Sequence, residues 1–141
     1  MSDHLPILVA EDEDDDIYFL RLAVKRAGLT NPLVVTKNGK EAIQYLEGAD
    51  GFADRAKHPL PGLFLLDLKM PFLTGFDVLA WLKSRPEHRS LPVVVLTSSS
   101  HDADRQKALA LGASDYQVKP THPDKLVELL HQMRDRWLKR G

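Results

Sequence analysis

The sequence predicts an α/β chain built on a five-stranded parallel sheet with helices on both faces. Three observations lead there. Short apolar runs recur along the chain, segments with helically spaced apolar residues separate them, and several runs are apolar at nearly every position. The last feature marks strands covered on both faces, as parallel strands are. Strands alternating with helices imply parallel pairing through right-handed crossovers.

The strand candidates are "LPILVA" (5–10), "PLVVT" (32–36), "LFLLD" (63–67), "LPVVVLT" (91–97) and the weaker "SDYQVK" (114–119). Between the first two, Ile17, Leu20, Val24 and Ala27 recur at helical spacing over 14–28, with Gly28 placed to end the helix. A second helix is expected over 38–47 from Ala42, Ile43 and Leu46. The stretch 48–62, "GADGFADRAKHPLPG", reads as a long loop punctuated by Gly and Pro. Phe76, Leu79, Ala80 and Leu82 predict a third helix over 75–84, stopped by Pro86, and a fourth over 102–111 ends at Gly112. The last helix, 123–138, carries Leu126, Leu129, Leu130, Met133 and Trp137 along one stripe. Five such units fit the flavodoxin-like (βα)5 order 2-1-3-4-5, in which ligands bind beyond the carboxyl ends of the strands.

At 141 residues, 43% of them apolar, the chain is long enough for one domain, 1–141, with a real core. A net charge of -1 and the lack of long basic runs leave little support for nucleic-acid binding. The absence of cysteine excludes disulfides, thiolate nucleophiles and Cys-ligated zinc. No run suits a signal peptide or a membrane span, so a cytoplasmic protein is expected. His4, His58, His88, His101, His122 and His131 show no metal-ligand spacing and read as surface residues. "TSSS" (97–100) lacks the surroundings of a nucleophilic serine; 98–100 read as a loop and helix cap, and Trp81 as core or partial surface.

The strand ends carry the chemistry. Glu11 and Asp12 follow the first strand, Asp67 ends the third, Thr97 the fourth and Lys119 the fifth. Three carboxylates, one hydroxyl and one ammonium would thus face one crevice. Oxygen ligands of this kind suit a hard divalent cation, Mg2+ above all, which would relieve their mutual repulsion. The run continues with Asp14, Asp15 and Asp16, read here as solvated acids complementing the dipole at a helix start.

Taken jointly, "ED" (11–12), "LLDLKMPFLTG" (65–75), "VVVLTSSS" (93–100) and "DYQVKP" (115–120) resemble a CheY-like response-regulator receiver domain over nearly the whole chain. The resemblance implies that Asp67 accepts a phosphoryl group and that Glu11, Asp12, Asp67 and the backbone carbonyl of Lys69 hold Mg2+. It makes Thr97 the switch hydroxyl, Lys119 the partner of the phosphoryl group, Tyr116 the switch aromatic, and Lys119–Pro120 a cis peptide. Met70, Pro71 and Gly75 match the loop after the acceptor. The chain most resembles stand-alone regulators paired with bacterial phytochrome kinases, so the implied partner is a sensor histidine kinase. With only one helix after the last strand, the signal is expected to pass by protein binding rather than by enzymatic turnover. The face formed by the fourth helix, fifth strand and fifth helix, bearing Tyr116, is the candidate for a target or a homodimer. Trp137 and Leu138 read either as core or as a dimer contact.

Three departures stand out. Glu11 replaces the more usual Asp, Lys69 sets a cation beside the site, and the 48–62 loop is longer than in the chemotaxis regulator. Other readings fare worse. An aspartate-nucleophile phosphatase of the haloacid-dehalogenase type resembles D-x-D, whereas Lys69 stands two residues after Asp67. A flavodoxin would need a Gly-, Ser- or Thr-rich phosphate loop where this chain is acidic. A pseudo-receiver that never carries phosphate remains open.

Overall fold

A computed structural model describes residues 5–138. Five parallel strands, β1 (Ile7–Ala10), β2 (Leu33–Thr36), β3 (Leu63–Leu66), β4 (Val93–Thr97) and β5 (Asp115–Val118), form one sheet in the order β2-β1-β3-β4-β5. They alternate with α1 (Asp14–Ala27), α2 (Gly39–Glu47), α3 (Gly75–Lys83), α4 (Asp102–Ala110) and α5 (Pro123–Met133). The predicted order and alternation are those observed.

Four strands start later than the runs suggest, and proline explains three of them. Pro6, Pro32 and Pro92 stand immediately before β1, β2 and β4. Lacking an N–H, each joins the ladder through its carbonyl alone, accepting from Gly62 N (2.9 Å), Ile7 N (2.8 Å) and Phe64 N (3.0 Å) respectively.

Strand side chains alternate between two cores. Ile7 and Val9, Leu63 and Leu65, and Val94 and Leu96 pack with Leu20, Val24, Leu126 and Leu130 of α1 and α5. Leu8 and Ala10, Phe64 and Leu66, and Val93 and Val95 pack with Tyr45, Val78, Leu79 and Ala108 on the other face. Burial on both faces is why these runs are apolar throughout rather than alternating.

The helix ends follow local chemistry. Gly28 and Gly48 close α1 and α2 in the left-handed region, at φ of 76° and 72°. Thr74 and Asp77 form a reciprocal capping box at the start of α3. Pro86 ends up in a short 3-10 turn, Pro86–His88, rather than only stopping the third helix. The predicted last helix is α-helical to Met133 and finishes as a π-helical turn, Arg134–Leu138. The long loop is tied down by Arg55, which donates to the carbonyls of Tyr45 (2.9 Å) and Leu46 (2.8 Å) at the end of α2. No helix among the described residues is long and apolar enough to cross a membrane.

Candidate functional site

Backbone pairing carries on past the strands and fixes the site residues. Glu11 N donates to Thr36 O (3.0 Å), Asp67 N to Ala10 O (3.1 Å) and Lys119 N to Thr97 O (2.7 Å). The ends of β1, β3, β4 and β5 therefore deliver Glu11, Asp67, Thr97 and Lys119 to one edge in fixed register. The loop after Asp67 folds back tightly, with Gly75 N donating to Leu68 O (3.0 Å). A Cβ at Gly75 would lie 2.4 Å from Asp67 O and 2.7 Å from Leu68 Cα, so only glycine fits. Phe72, in this loop, has a φ of 68° and is 86% exposed.

One ammonium holds the acids together. Lys119 Nζ lies 2.5 Å from Glu11 Oε1, 2.7 Å from Asp16 Oδ2 and 3.1 Å from Asp67 Oδ2. Burial disfavours the charged lysine, but hydrogen bonds to Asp16 and Glu11 and the charge of Asp67 outweigh it, so its pKa is raised. Burial lifts the Glu11 carboxyl to about 7, and the charge of Asp67 acts in the same direction. Hydrogen bonds from Lys119 and from the Glu13 N–H (3.1 Å) restrain that rise.

Asp16 is a correction to the sequence reading. It is no merely solvated helix acid but a direct partner of Lys119, 103 residues away. Its neighbour Asp14 fits the expectation better, paired on the surface with Lys37.

The donor set suits a metal. Glu11, Asp12 and Asp67 each offer a carboxylate oxygen, all within 4.8 Å of one another. Asp12 Oδ1 is buried without a hydrogen-bond partner, which is costly unless a cation faces it. An all-oxygen cluster of this kind fits Mg2+. Lys69, the expected backbone ligand, donates its N–H to Asp67 Oδ1 (3.3 Å) and keeps its side chain exposed.

Thr97 is fully buried, and its Oγ1 accepts from Ser99 N (3.4 Å). Ser99, read from sequence as part of a loop and helix cap, also donates its hydroxyl to Asp104 Oδ2 (2.6 Å) and accepts from Tyr116 OH at its backbone carbonyl (2.9 Å). Nothing in a serine run signals this junction before the fold brings β5 and α4 beside it.

Two expectations are overturned, and a third position is decided between its two readings. Lys119–Pro120 is trans, since no described peptide bond is cis; trans is the lower-energy isomer for an X–Pro bond. Tyr116 is 3% exposed with its ring turned inward, so it offers no contact surface. Of the two readings offered for Leu138 and Trp137, core holds for Leu138, which belongs to the core between α1 and α5 with Trp137 packed partly against it. The apolar side chains that α4 and β5 do expose are Leu109 and Val118.

Below the carboxylates, a cavity of about 500 Å3 opens between α1 and the start of α5. Its lining combines polar Glu11, Asp16, Asp67 and Lys119 with apolar Leu20 and Leu126.

The family profile of the response regulator receiver domain matches residues 7–131. A response regulator in red light signaling of R. palustris, RPA3017, superposes with a TM-score of 0.90 at 33% identity, covering 97% of this chain and 96% of its own. The phosphorylated cyanobacterial phytochrome response regulator RcpA superposes at 0.87 with 30% identity, covering 98% and 96%. Response regulator Rcp1 of Synechocystis sp. is 29% identical over 94% of this chain and 88% of its own length. Its Mn2+-bound form superposes at 0.82, with 28% identity and coverage of 97% and 96%.

Proposed function

Since the chain belongs to the response-regulator receiver family, a family of signalling phosphoacceptors, we propose that Asp67 accepts a phosphoryl group from a sensor histidine kinase. The likeness to phytochrome response regulators supports a phytochrome-type kinase as the donor. The observation that carries the reading is the convergence of the buried Asp67 carboxylate, the Lys119 ammonium 3.1 Å from it and two further carboxylates at one sheet edge.

In the proposed transfer, an Asp67 oxygen attacks the phosphorus of a phosphohistidine in line. The P–N bond breaks, the imidazole leaves with that electron pair, and an acyl phosphate forms on Asp67. Lys119 neutralises one equatorial oxygen, and the Thr97 hydroxyl, once rotated from Ser99 N–H, hydrogen-bonds another. Mg2+ held by Glu11, Asp12, Asp67 and the Lys69 carbonyl would supply further charge neutralisation. The new charge on Asp67 then shifts Thr97 and its neighbours, and the output passes by binding at the α4–β5–α5 face, by way of exposed residues such as Leu109 and Val118.

The test is phosphate incorporation from acetyl phosphate, read by phosphate-affinity electrophoresis. Labelling should require Mg2+ and vanish in Asp67→Asn. Folded, magnesium-saturated protein that takes no label would leave an interaction module that carries no phosphate.

A further inference from the structure

A lysine ammonium has three N–H donors, and Lys119 has three carboxylate acceptors around it: Glu11, Asp16 and Asp67. A phosphoryl oxygen can gain a hydrogen bond from Lys119 only by displacing or sharing one of these. Two of the acceptors have other work in the phosphoacceptor reading, on which this inference rests. Glu11 and Asp67 belong to the carboxylate triad that suits a cation, and Asp67 itself receives the phosphoryl group.

Asp16 belongs to neither group. It sits in the first turn of α1, outside the triad, with its side chain 39% exposed. Its bond to Lys119, at 2.7 Å, is shorter than that of Asp67 at 3.1 Å. Its charge also lines the same cavity as Asp67 and Lys119. We propose that Asp16 is a positioning residue that restrains the Lys119 ammonium and so limits how readily the crevice takes up and keeps a phosphoryl group.

The surroundings leave this role to Asp16 alone. Asp14, two residues earlier on the same turn, pairs with Lys37, and Asp15 is exposed. Arg26, which lines the same cavity, is paired with Asp124 at 2.6 Å and does not relieve Lys119. The cavity lined by both Asp16 and Lys119 gives the ammonium room to move once the bond between them is broken.

Beryllofluoride, in which a carboxylate oxygen displaces water or fluoride from four-coordinate beryllium to give a phosphoryl mimic, tests this on the full chain in saturating Mg2+. Binding is followed by NMR for wild type, Asp16→Asn and Asp14→Asn. Each variant removes one negative charge from the same helical turn, but only the first touches Lys119. Asp16→Asn should bind about fivefold more tightly than wild type, the size expected for releasing a partly exposed ion pair. Asp14→Asn should stay within about twofold, screened by distance and solvent. The Lys119 15Nζ signal should shift in Asp16→Asn before any mimic is added, which a mere change in helix stability would not produce. If wild type binds and Asp16→Asn gains nothing over Asp14→Asn, or loses affinity, the restraint is refuted while the phosphoacceptor reading stands. If wild type binds no beryllofluoride, both fall together.

Discussion

Replacing Lys119 with methionine keeps the volume of the stem and deletes the one cation that the structure sets among Glu11, Asp16 and Asp67. The Glu11 and Asp67 side chains are only 7% and 6% exposed, so the acids left behind cannot simply rehydrate. Removing one partner from a buried ion pair destabilises by about 3–5 kcal/mol. Two features of this site reduce that figure. Asp16 is half exposed, and Glu11, with its pKa near 7, can take up a proton at neutral pH instead of remaining an isolated charge. The expected loss for Lys119→Met is about 2–3 kcal/mol at pH 7, or roughly 10 °C in the midpoint for a domain of this length. At pH 5, where Glu11 is protonated, it should shrink to about 1 kcal/mol. Urea unfolding without divalent cations, at both pH values, measures it. Adding Glu11→Gln should restore much of the loss at pH 7, since the two residues are in direct contact. A methionine variant as stable as wild type at pH 7 would refute the claim that Lys119 neutralises a buried carboxylate cluster.

Two further outcomes follow from the same geometry. Because the Glu11 pKa is raised from 4.5 to about 7, the native state holds this proton where the unfolded chain has lost it. Its contribution to stability therefore falls as pH rises through that window, and wild type should lose roughly 2–3 kcal/mol relative to Glu11→Gln between pH 4.5 and 7.5. Saturating Mg2+, which favours the ionised carboxyl, should flatten the wild-type curve. Gly75→Ala should destabilise by about 2–3 kcal/mol in urea unfolding and slow labelling of Asp67, because its Cβ would meet unyielding backbone at Asp67 O and Leu68 Cα.

Much of the fold could be read from sequence because it rests on local signals. A parallel strand buried on both faces is an unbroken apolar run, and the run breaks where the strand leaves the core, so Glu11 and Asp67 mark their own strand ends. Gly28 announces the left-handed close of α1 in the same local way. What escaped depends on distant partners. An acid in the first turn of a helix looks the same whether water or a lysine 103 residues away receives it, and so Asp16 passed for a dipole complement. Leu138 and Trp137 continue an apolar stripe in sequence, but only the packing of α5 and its π-helical turn against α1 decides that Leu138 points into the core. The isomer of Lys119–Pro120 is set by how β5 passes into α5, for which the dipeptide itself carries no signal.

The path out of the site also shows why the proposed switch residues are hard to recognise singly. Thr97 Oγ1 is tied to Ser99 N, Ser99 Oγ to Asp104 at the start of α4, and Ser99 O to the Tyr116 hydroxyl on β5. Arg105 closes the circuit, donating to Tyr116 O (3.3 Å) with its guanidinium 5.9 Å from the ring centroid. A Thr97 hydroxyl drawn toward Asp67 loses the Ser99 N–H, the longest link in this circuit at 3.4 Å and so the weakest to give up. Ser99 is then held only from the α4 and β5 sides, and any adjustment it makes reaches both elements, which expose Leu109 and Val118 respectively. In the proposed switch the coupling runs through one serine whose N–H, hydroxyl and carbonyl are all hydrogen-bonded, in a buried setting where an unpaired group is costly, and that favours a discrete rearrangement over a gradual one.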